Sequence, residues 1–574
     1  MPPDRVGQWH RDLVGVDGGV PTRTTIFRTL YSTNTTADIN AAIAACPSGQ
    51  VVLLSAGTYT LSPPLILKSE MTLRGAGDTN TVLNFFGASG LGNIYMPGIN
   101  YGQGTANGAV SCIVNWTSGF TQGGSNIVVN AVSNIVVGDL IVLDQLNDEW
   151  EVTSLGYENR NTGAGRAGGF RSQEQIVQVK AVNSTTLTIW PPLQMPNWSS
   201  GRTPQVWKPS TAWGGWLTGC GVESLTVDGT ATTNNWDSYG ANFYLFGVAN
   251  CWLSDLRSLN PKGCHVNPFG AYRCEIRHSY FFGKGGGTLS YGLLPIFTFS
   301  TLVEDNILEK TAGPLILGNC SSGNVVGFNY VTNVYQTGAN GYTLCSSAVH
   351  DAYTCMNVFE GNYGTGLDSD LTHGASGYNT SFRNRWLGWA PAVFNGNGQP
   401  MVPAYRNLFA VQLDPTNHYY TMVGSILGVV GVHTNYEGTP ALGFPDGSIY
   451  KLGYADTYNY NNWLGNGLYW TNDPGVVTTL YRHGNWDAVT ATNGGVVWNP
   501  TNADHTIPDS LVYSSKPAWF GSCPWPPYDP LNVTSASIDR TNIPAGRRFV
   551  FGPAPLVPPS NLRVGTAILG KGSL

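Results

Sequence analysis

The sequence predicts an all-β fold, a parallel β-helix, and three observations lead to this prediction. An apolar residue followed by polar residues recurs through the middle third of the chain, and four of its six steps are 23 residues long. The segments between are short, alternating and rich in glycine, of which the chain has 72. A single helical segment precedes the first of these strands. A period of 20–50 residues is typical of solenoids. The recurring positions are Leu253, Ile276, Val303, Val326, Phe359, Phe382 and Tyr405.

The coil period allows side chains to be assigned to columns. In a β-helix, equivalent residues of successive coils stack about 4.8 Å apart. Asn306, Asn329 and Asn362 each stand three positions after an apolar anchor. We therefore expect an internal asparagine ladder whose amides satisfy backbone groups at a turn.

The segment TADINAAIAA, residues 36–45, predicts a short helix with Ile39, Ala42 and Ile43 on one face and Pro47 just beyond its end. The end of a solenoid exposes apolar surface, which such a helix would cap. The following segments VVLLSAGTYTL, LILKSEMTLRGAG and TVLNFFG alternate and are separated by Gly, Pro and Ser, as expected of the first coils.

The stretch DINAAIAACPSGQVVLLSAGTYTLSPPLILKSEMTLRGAGDTNTVL resembles the N-terminal cap and first coils of the pectate-lyase-like superfamily. With the 23-residue coils, the resemblance covers roughly residues 36–110 and 215–430. It implies a right-handed parallel β-helix. The superfamily includes polysaccharide-cleaving enzymes and phage tailspikes. The resemblance does not by itself select a reaction, because hydrolases, lyases, epimerases and adhesins share this scaffold.

The pattern divides the chain into five parts. Residues 1–35 form an N-terminal extension, 36–111 the cap and first coils, and 194–439 the main coils. Residues 112–193 interrupt the coils with two strand-rich blocks and predict a small β-barrel-like insertion. The loop EVTSLGYENRNTGAGRAGGFRS between these blocks either borders the cleft or is a peripheral decoration. Residues 440–574, rich in Trp, Tyr and Pro, predict a C-terminal cap and tail.

Composition excludes several classes of function. Charged residues make up 11% of the chain, against roughly 25% in ordinary soluble proteins. A net charge of −6 with 29 Lys and Arg argues against nucleic-acid binding, which needs a basic face, and weakens the case for a strongly anionic glycan. No apolar run is long enough to span a membrane. A polar but weakly charged surface favours a secreted protein with a hydroxyl-rich partner, acting as a monomer or small homo-oligomer.

The ten cysteines include no CxxC pair, which disfavours a zinc ribbon. Cys264 with Cys274, and Cys345 with Cys355, enclose short stretches and are candidate disulfides, which would fit an oxidising compartment. The alternative is buried free thiols inside the coils, because spacing does not determine connectivity.

Nine residues before three of the anchors stand Asn267, His350 and His373. The two histidines are 23 residues apart, which places them in one column of adjacent coils. Asp351, Asp368 and Asp370 lie beside them. Either these residues form a catalytic cluster, or the carboxylates cap turns and the histidines fill an internal polar ladder.

Glycoside hydrolysis needs two carboxyl groups, one as general acid and one as base or nucleophile. Asp368, Asp370 and Asp351 supply candidates, with His350 and His373 to separate their pKa values. The segments DSD and THGASG are similar in type to the Asp-Asp pair and Gly-His-Gly segment of polygalacturonases. The chain has no NTD or RIK segment of those enzymes, so uronic-acid specificity is not transferred.

The column after the anchors predicts either a salt-bridge ladder or a base for a lyase. Arg383, on the same coil as His373, corresponds to the arginine base that the resemblance implies for lyases. Such lyases also use calcium held by carboxylates, so calcium is possible although no cofactor is required. Asn267, Arg385, Trp386 and Trp389 are the candidate substrate-binding residues. The column reads Arg277, Glu304, Gly327, Glu360, Arg383 and Arg406.

Three functions follow in order of preference. The first is a secreted, endo-acting glycoside hydrolase on a neutral or weakly charged glycan. The second is a polysaccharide lyase with an arginine base. The third is a non-catalytic, tailspike-like protein that binds a glycan.

Overall fold

The computed structural model is a right-handed parallel β-helix in which successive coils contribute strands to three parallel sheets. The prediction of an all-β solenoid is confirmed. The described residues are 1–88, 90–100, 110–148, 171–211, 214–233, 241–283, 291–334, 341–371, 374–393, 401–438, 447–454, 472–490 and 495–552.

Sheets A and B, each twelve-stranded, form two faces of the helix. The strands of sheet A are Ile26–Leu30, Gln50–Leu54, Met71–Gly75, Gly221–Glu223, Trp252–Ser254, Glu275–Arg277, Leu302–Glu304, Val325–Gly327, Val358–Glu360, Thr380–Phe382, Thr421–Val423 and Tyr481–His483. The strands of sheet B are Gly57–Leu61, Thr81–Gly87, Thr226–Thr232, Arg257–Leu259, Tyr280–Phe282, Ile307–Glu309, Tyr330–Thr332, Tyr363–Gly364, Arg385–Trp386, Ile426–Leu427, Asn485–Asp487 and the antiparallel Val496–Val497.

Sheet C forms the third face and has two six-stranded parts, which isolated bridges at Leu293 and Ile296 connect. The strands of its first part are Leu65–Ile66, Ile94–Pro97, Leu217–Thr218, Phe243–Ala249, Val266–Tyr272 and Ile296–Phe299. The strands of its second part are Leu315–Leu317, Ser347–Val349, Leu367–Ser369, Phe409–Leu413, Asn435–Glu437 and Ser448–Leu452.

The coil period has a direct structural cause, since the apolar anchors pair with one another along sheet A. Leu253 pairs with Ile276, and the column continues through Val303 and Val326 to Phe359. All five are buried in the continuous apolar core inside the coils. The first five anchors are therefore confirmed, and burial of this column is what requires an apolar residue once in every coil.

The last two anchors are wrong. Phe359 pairs with Ser381, one residue before the predicted Phe382, and Ser381 pairs with Met422. The exposed Tyr405 lies outside sheet A, with 44% of its surface accessible. The chain between Trp386 and Met422 is longer than one coil of the helix, so counting in steps of 23 loses the register here.

Among the described residues, three α-helices accompany the coils. Helix α1, Thr36–Ala45, begins with a capping box in which Thr35 and Asp38 satisfy each other's backbone N–H groups. It buries Ile39, Ala42 and Ile43 against the first coils, which confirms the predicted N-terminal cap. Helices α2 and α3 span Pro474–Thr479 and Pro544–Phe551. Short 3₁₀ turns lie at Pro3–Arg5, Ser200–Arg202, Ala518–Phe520 and Arg540–Asn542.

A closed barrel of six antiparallel strands interrupts the coils, as the insertion predicts. Its apolar interior is continuous with Tyr353 and Tyr378 of the coil turns, which fixes the barrel on the helix. Its last strand lies beyond the predicted boundary at residue 193, and residues 151–170 of the predicted cleft-bordering loop lie outside the described residues. The strands are Val110–Ser118, Asn126–Val129, Leu140–Gln145, Gln173–Asn183, Thr186–Trp190 and Gln205–Pro209.

The predicted asparagine ladder is confirmed. The Nδ2 amide of Asn306 donates to Oδ1 of Asn329, and that of Asn329 to Oδ1 of Asn362, each at 3.0 Å. The ladder continues to Asn384. A second ladder at another turn, which was not predicted, has the members Asn324, Asn357 and Asn379.

The predicted disulfides are wrong, because all ten cysteines are free and buried. Cys251 and Cys274 stack on adjacent coils inside the core. Burial raises the pKa of the Cys264 thiol to about 12, so it stays protonated and packs as a small apolar group. The cysteines therefore give no argument for an oxidising compartment.

Candidate functional site

Asp368, Asp370 and His350 meet on the second part of sheet C. Asp368 lies within the strand Leu367–Ser369. Asp370 follows that strand directly, and His350 follows the neighbouring strand Ser347–Val349. The backbone N–H groups of His350 and Asp370 donate to Leu317 and Val349 and continue the sheet ladder by one residue. Parallel pairing thus places these side chains side by side on successive coils.

His350 lies between two carboxylates. Its Nδ1 donates to Oδ2 of Asp370 at 2.7 Å, and its Nε2 lies 3.6 Å from Oδ1 of Asp351. Desolvation lowers the pKa of His350, but Asp351 and Asp370 outweigh it and raise the pKa to about 10. The imidazole is therefore a cation at neutral pH. The Asp351 carboxylate packs against Gly318, where a Cβ would lie only 2.7 Å from Oδ2 of Asp351.

Asp368 is in the opposite electrostatic situation. Its Oδ1 is buried and has no hydrogen-bond partner. Desolvation, and then the negative charges of Asp414 and Asp370, raise the pKa of Asp368 well above its usual value. Two carboxyl groups two residues apart, one within the strand and one directly after it, thus have different surroundings, one desolvated and one held by a cation. Such a difference is what separates an acid from a base.

Three polar residues of this site were not predicted. Gln412 pairs with Asp368 in the sheet, and Lys451 pairs with Gln412 one coil further on. Asp414 follows the strand of Gln412, with its backbone N–H donating to Ser369. Lys451 Nζ lies 3.7 Å and Gln412 Nε2 3.3 Å from Oδ1 of Asp414. The segment VQLDP carries a carboxylate just after an alternating strand, as LDSD does, and this was the signal available in the sequence.

A small cavity of about 150 Å³ lies over these groups. His350, Asp368 and Asp370 form its polar side. Its apolar side consists of Tyr291, Ala312, Gly313, Ile316, Leu344, Cys345 and Ala348. Concave sites that join apolar walls to a few convergent polar groups are the usual form of ligand-binding sites.

Arg383 is not part of this site, so its prediction as a base is wrong. It follows a strand of sheet A, and its guanidinium donates to the backbone oxygens of Ile507, Pro508 and Tyr528 at 2.7–3.1 Å. All three acceptors belong to the C-terminal segment. Arg383 therefore anchors this segment along the coils and is only 5% exposed.

Three of the four predicted substrate-binding residues are buried, and none of the four lines the cavity. Asn267 belongs to the column of Asp368 but lies four coils away, about 19 Å at the usual strand spacing. Arg385 donates to the backbone oxygens of Trp386 and Ile426 at 3.2 Å. Trp386 packs in the core, and Trp389, half-buried, donates its indole N–H to Ala404.

The remaining site predictions have mixed outcomes. His373 lies outside the described residues. In the predicted salt-bridge column, Arg277 pairs with Glu304 at 3.1 Å, but Glu360 instead binds Ser510 and Leu511 of the C-terminal segment. Within the described ranges, no three His, Cys, Asp or Glu side chains are grouped so as to hold a metal ion. No helix in these ranges has the length and apolar character needed to cross a membrane.

Comparison with solved structures returns parallel β-helix proteins at low similarity. The tailspike protein gp49 from Pseudomonas phage LKA1 is 13% identical, with a TM-score of 0.34, and 73% of this chain aligns with 72% of that one. An exopolygalacturonase from Thermotoga maritima is 9% identical over 76% and 91% of the two chains, with a TM-score of 0.30. An alginate lyase from Paenibacillus sp. is 11% identical over 74% and 98%, with a TM-score of 0.27.

Comparison with curated protein sequences finds no match. Among protein families, residues 31–165 match the family described as rhamnogalacturonase A/epimerase, pectate lyase-like. The matched segment contains helix α1 and the first coils, where the sequence carries its resemblance. Residues 31–165 are thus similar to the pectate lyase-like family, and the three-sheet right-handed coil is the fold that this resemblance implies.

Proposed function

We propose that the protein is a secreted glycoside hydrolase that cleaves a neutral or weakly charged polysaccharide at the cavity over sheet C. One observation carries the proposal. Asp368 and Asp370 line the same cavity, yet desolvation and nearby carboxylates hold a proton on Asp368, while the His350 cation pairs with Asp370. A carboxyl group with a raised pKa beside a second carboxyl group supplies the acid and the base that glycoside hydrolysis requires.

In this proposal Asp368 is the general acid. Its proton goes to the glycosidic oxygen as the bond from that oxygen to the anomeric carbon breaks. Asp370 is the base, and it takes a proton from the water whose oxygen forms the new bond to the anomeric carbon. The proton on Asp370 returns to Asp368 through solvent, so one water molecule is consumed for each bond cleaved.

The neighbouring groups have positioning and electrostatic roles. His350 orients Asp370 and places a cation beside it, because its Nδ1 donates to Oδ2 of that carboxylate at 2.7 Å. Asp414, held by Lys451 and Gln412, is the like charge that keeps Asp368 protonated. His350 and Asp414 belong to the coils on either side of Asp368 and Asp370, so the stacking of the coils determines the surroundings of these two carboxyl groups.

The charge of the site supports the choice of glycan. His350 and Lys451 face the carboxyl groups of Asp351, Asp370 and Asp414. With Asp368 protonated, these charges sum to about −1, which gives no attraction for a polyuronate.

The lyase alternative is weaker than the sequence suggested. Its proposed base, Arg383, anchors the C-terminal segment. Its proposed calcium ligands are Asp351, Asp368 and Asp370, and two of them, Asp351 and Asp370, already share the His350 cation. A chelator is therefore expected to leave activity unchanged.

The test is incubation with neutral and acidic polysaccharides, followed by chromatography of the products and absorbance at the wavelength of unsaturated uronates. Asp368→Asn and Asp370→Asn should each lower turnover about 10²–10⁴-fold. Asp12→Asn, whose carboxylate is exposed, is the matched control and should keep full activity. Unsaturated products would favour the lyase. Binding of a polysaccharide without any product would indicate a non-catalytic glycan-binding protein.

A further inference from the structure

A second groove lies on the opposite side of the helix from the cavity over sheet C. It follows the turns that connect sheet A to sheet B, whereas the candidate active site lies on the face of sheet C. Its volume of about 580 Å³ falls within the range of about 300–1,000 Å³ that is usual for small-molecule sites. Arg257, Asp255 and His278 contribute from the coils, and Arg548 and Phe549 from helix α3.

One wall of the groove contains a buried donor with no partner. Arg257 is 6% exposed, and its Nε donates to Oδ2 of Asp78 at 2.8 Å. Its guanidinium lies over the ring of Tyr280, 5.8 Å from the centroid. Its Nη1 is buried without a hydrogen bond. Because Nη1 lies beneath the surface, Arg257 shapes this wall of the groove through its pairing with Asp78 and its position over Tyr280.

Helix α3 forms the other wall and is fixed in place by one buried carboxylate. Arg548 Nη1 and His278 Nδ1 both lie 2.5 Å from Oδ2 of Asp305. Arg548 Nη2 donates to the backbone oxygen of Asp305 at 2.6 Å. These contacts hold Phe549 at the edge of the groove, where its ring packs 5.0 Å from that of Tyr330.

The charges of the groove determine the class of ligand. Arg257 is already paired with Asp78, and Arg548 and His278 with Asp305. An anionic ligand would have to compete with these carboxylates. Asp255 is exposed beside them and offers free acceptors. Guanidinium donors, carboxylate acceptors and an aromatic edge together suit a ligand whose hydroxyls both donate and accept.

We propose that this groove is a second, non-catalytic binding site for a neutral oligosaccharide. Hydroxyls of the ligand donate to the exposed carboxylate of Asp255, the Arg257 side chain forms the wall beside it, and Phe549 supplies an apolar surface at the edge. This site lies on a different face of the coils from Asp368, and its test measures binding. The proposal therefore does not depend on hydrolysis at Asp368.

The test uses the full chain carrying Asp368→Asn, so that no ligand is turned over. Cellohexaose, mannohexaose and hexagalacturonate are titrated by calorimetry, and hydrogen–deuterium exchange locates the contact. We expect a neutral hexasaccharide to slow exchange in residues 255–257 and 544–551. Asp255→Ala and Phe549→Ala should each weaken that binding at least tenfold.

The matched control is Phe551→Ala, on the same helix but 69% exposed and outside the groove. It should bind as the parent chain does. Asp255 is exposed, so its replacement tests the groove without disturbing packing, even if Phe549→Ala loosens helix α3. Absence of protection with both neutral ligands, or unchanged binding in Asp255→Ala, would overturn the site. Preference for hexagalacturonate would overturn the assignment to a neutral ligand.

Discussion

The Nδ1 of His350 donates to Oδ2 of Asp370 at 2.7 Å, and the two residues belong to adjacent coils of the helix. The contact exists only because Ser347–Val349 and Leu367–Ser369 pair in register and each is followed by one of the two residues. The same register places Asp368 beside Gln412. The electrostatics of the site are thus a direct consequence of coil stacking, and four predictions test it and the scaffold around it.

The first prediction concerns the pH–rate profile. If Asp368 is the general acid, activity falls at high pH as Asp368 loses its proton. Asp414 is one of the charges that raise the pKa of Asp368, so Asp414→Asn should lower that pKa and move the alkaline limb of kcat/KM to lower pH. Asp12→Asn should leave the limb in place. An unchanged limb in Asp414→Asn would mean that another group limits the rate.

The second prediction concerns stability at high pH. The pKa of His350 is raised from 6.5 to about 10 in the folded protein. Its stabilising contribution is therefore fully present below pH 6.5 and is lost as the pH rises through about 10. The shift corresponds to an upper limit of about 5 kcal/mol.

The measurement is the free energy of unfolding of the parent chain and of His350→Gln between pH 6 and 10.5. The difference between the two should be largest at pH 6 and shrink steadily as the pH rises towards 10. Both chains contain the same other groups that titrate at alkaline pH, so the effect of those groups cancels in the difference between the two unfolding free energies. A difference that stays constant over this range would show that His350 is neutral in the folded protein.

The third prediction concerns Arg383. Its guanidinium binds three backbone oxygens of the C-terminal segment, and hydrogen bonds to charged groups contribute about 1.5–3 kcal/mol each. Arg383→Ala and Arg383→Lys should both lower the melting temperature and speed proteolysis within residues 495–552. The pH–rate profile of Arg383→Lys should keep its shape, whereas a catalytic arginine would change it.

The fourth prediction concerns the asparagine ladder. Asn329 accepts two hydrogen bonds from Asn306 and donates to Asn362 and to the backbone oxygen of Val303. Asn329→Ala leaves these buried partners unpaired and should cost about 3–5 kcal/mol of unfolding free energy. Asn532→Ala, an exposed position, is the control and should change stability by less than about 0.5 kcal/mol. Equal losses in both variants would contradict a stabilising role of the ladder.

The candidate site shows where prediction from sequence succeeds and where it stops. Sequence analysis found His350, Asp368 and Asp370 because their coils have nearly regular length. Counting residues per coil therefore predicted correctly that they lie close together. Sequence analysis missed Asp414, Gln412 and Lys451. The connection between Trp386 and Phe409 is longer than a regular coil, so counting residues did not locate the next two strands of sheet C. Asn267 was included wrongly, since it shares the column of Asp368 but lies four coils away.

Local patterns in the sequence determined the β-helix, the capping helix α1, the barrel and the asparagine ladder. Each depends on residue periodicity or on groups close in sequence, such as Thr35 and Asp38. Tertiary structure alone decided that Arg383 faces the C-terminal segment, that Trp386 lies in the core, and that Lys451 reaches Asp414. These outcomes depend on the coil register after irregular connections and on which sheet a residue joins. A shift of one residue along a strand reverses the face that a side chain occupies.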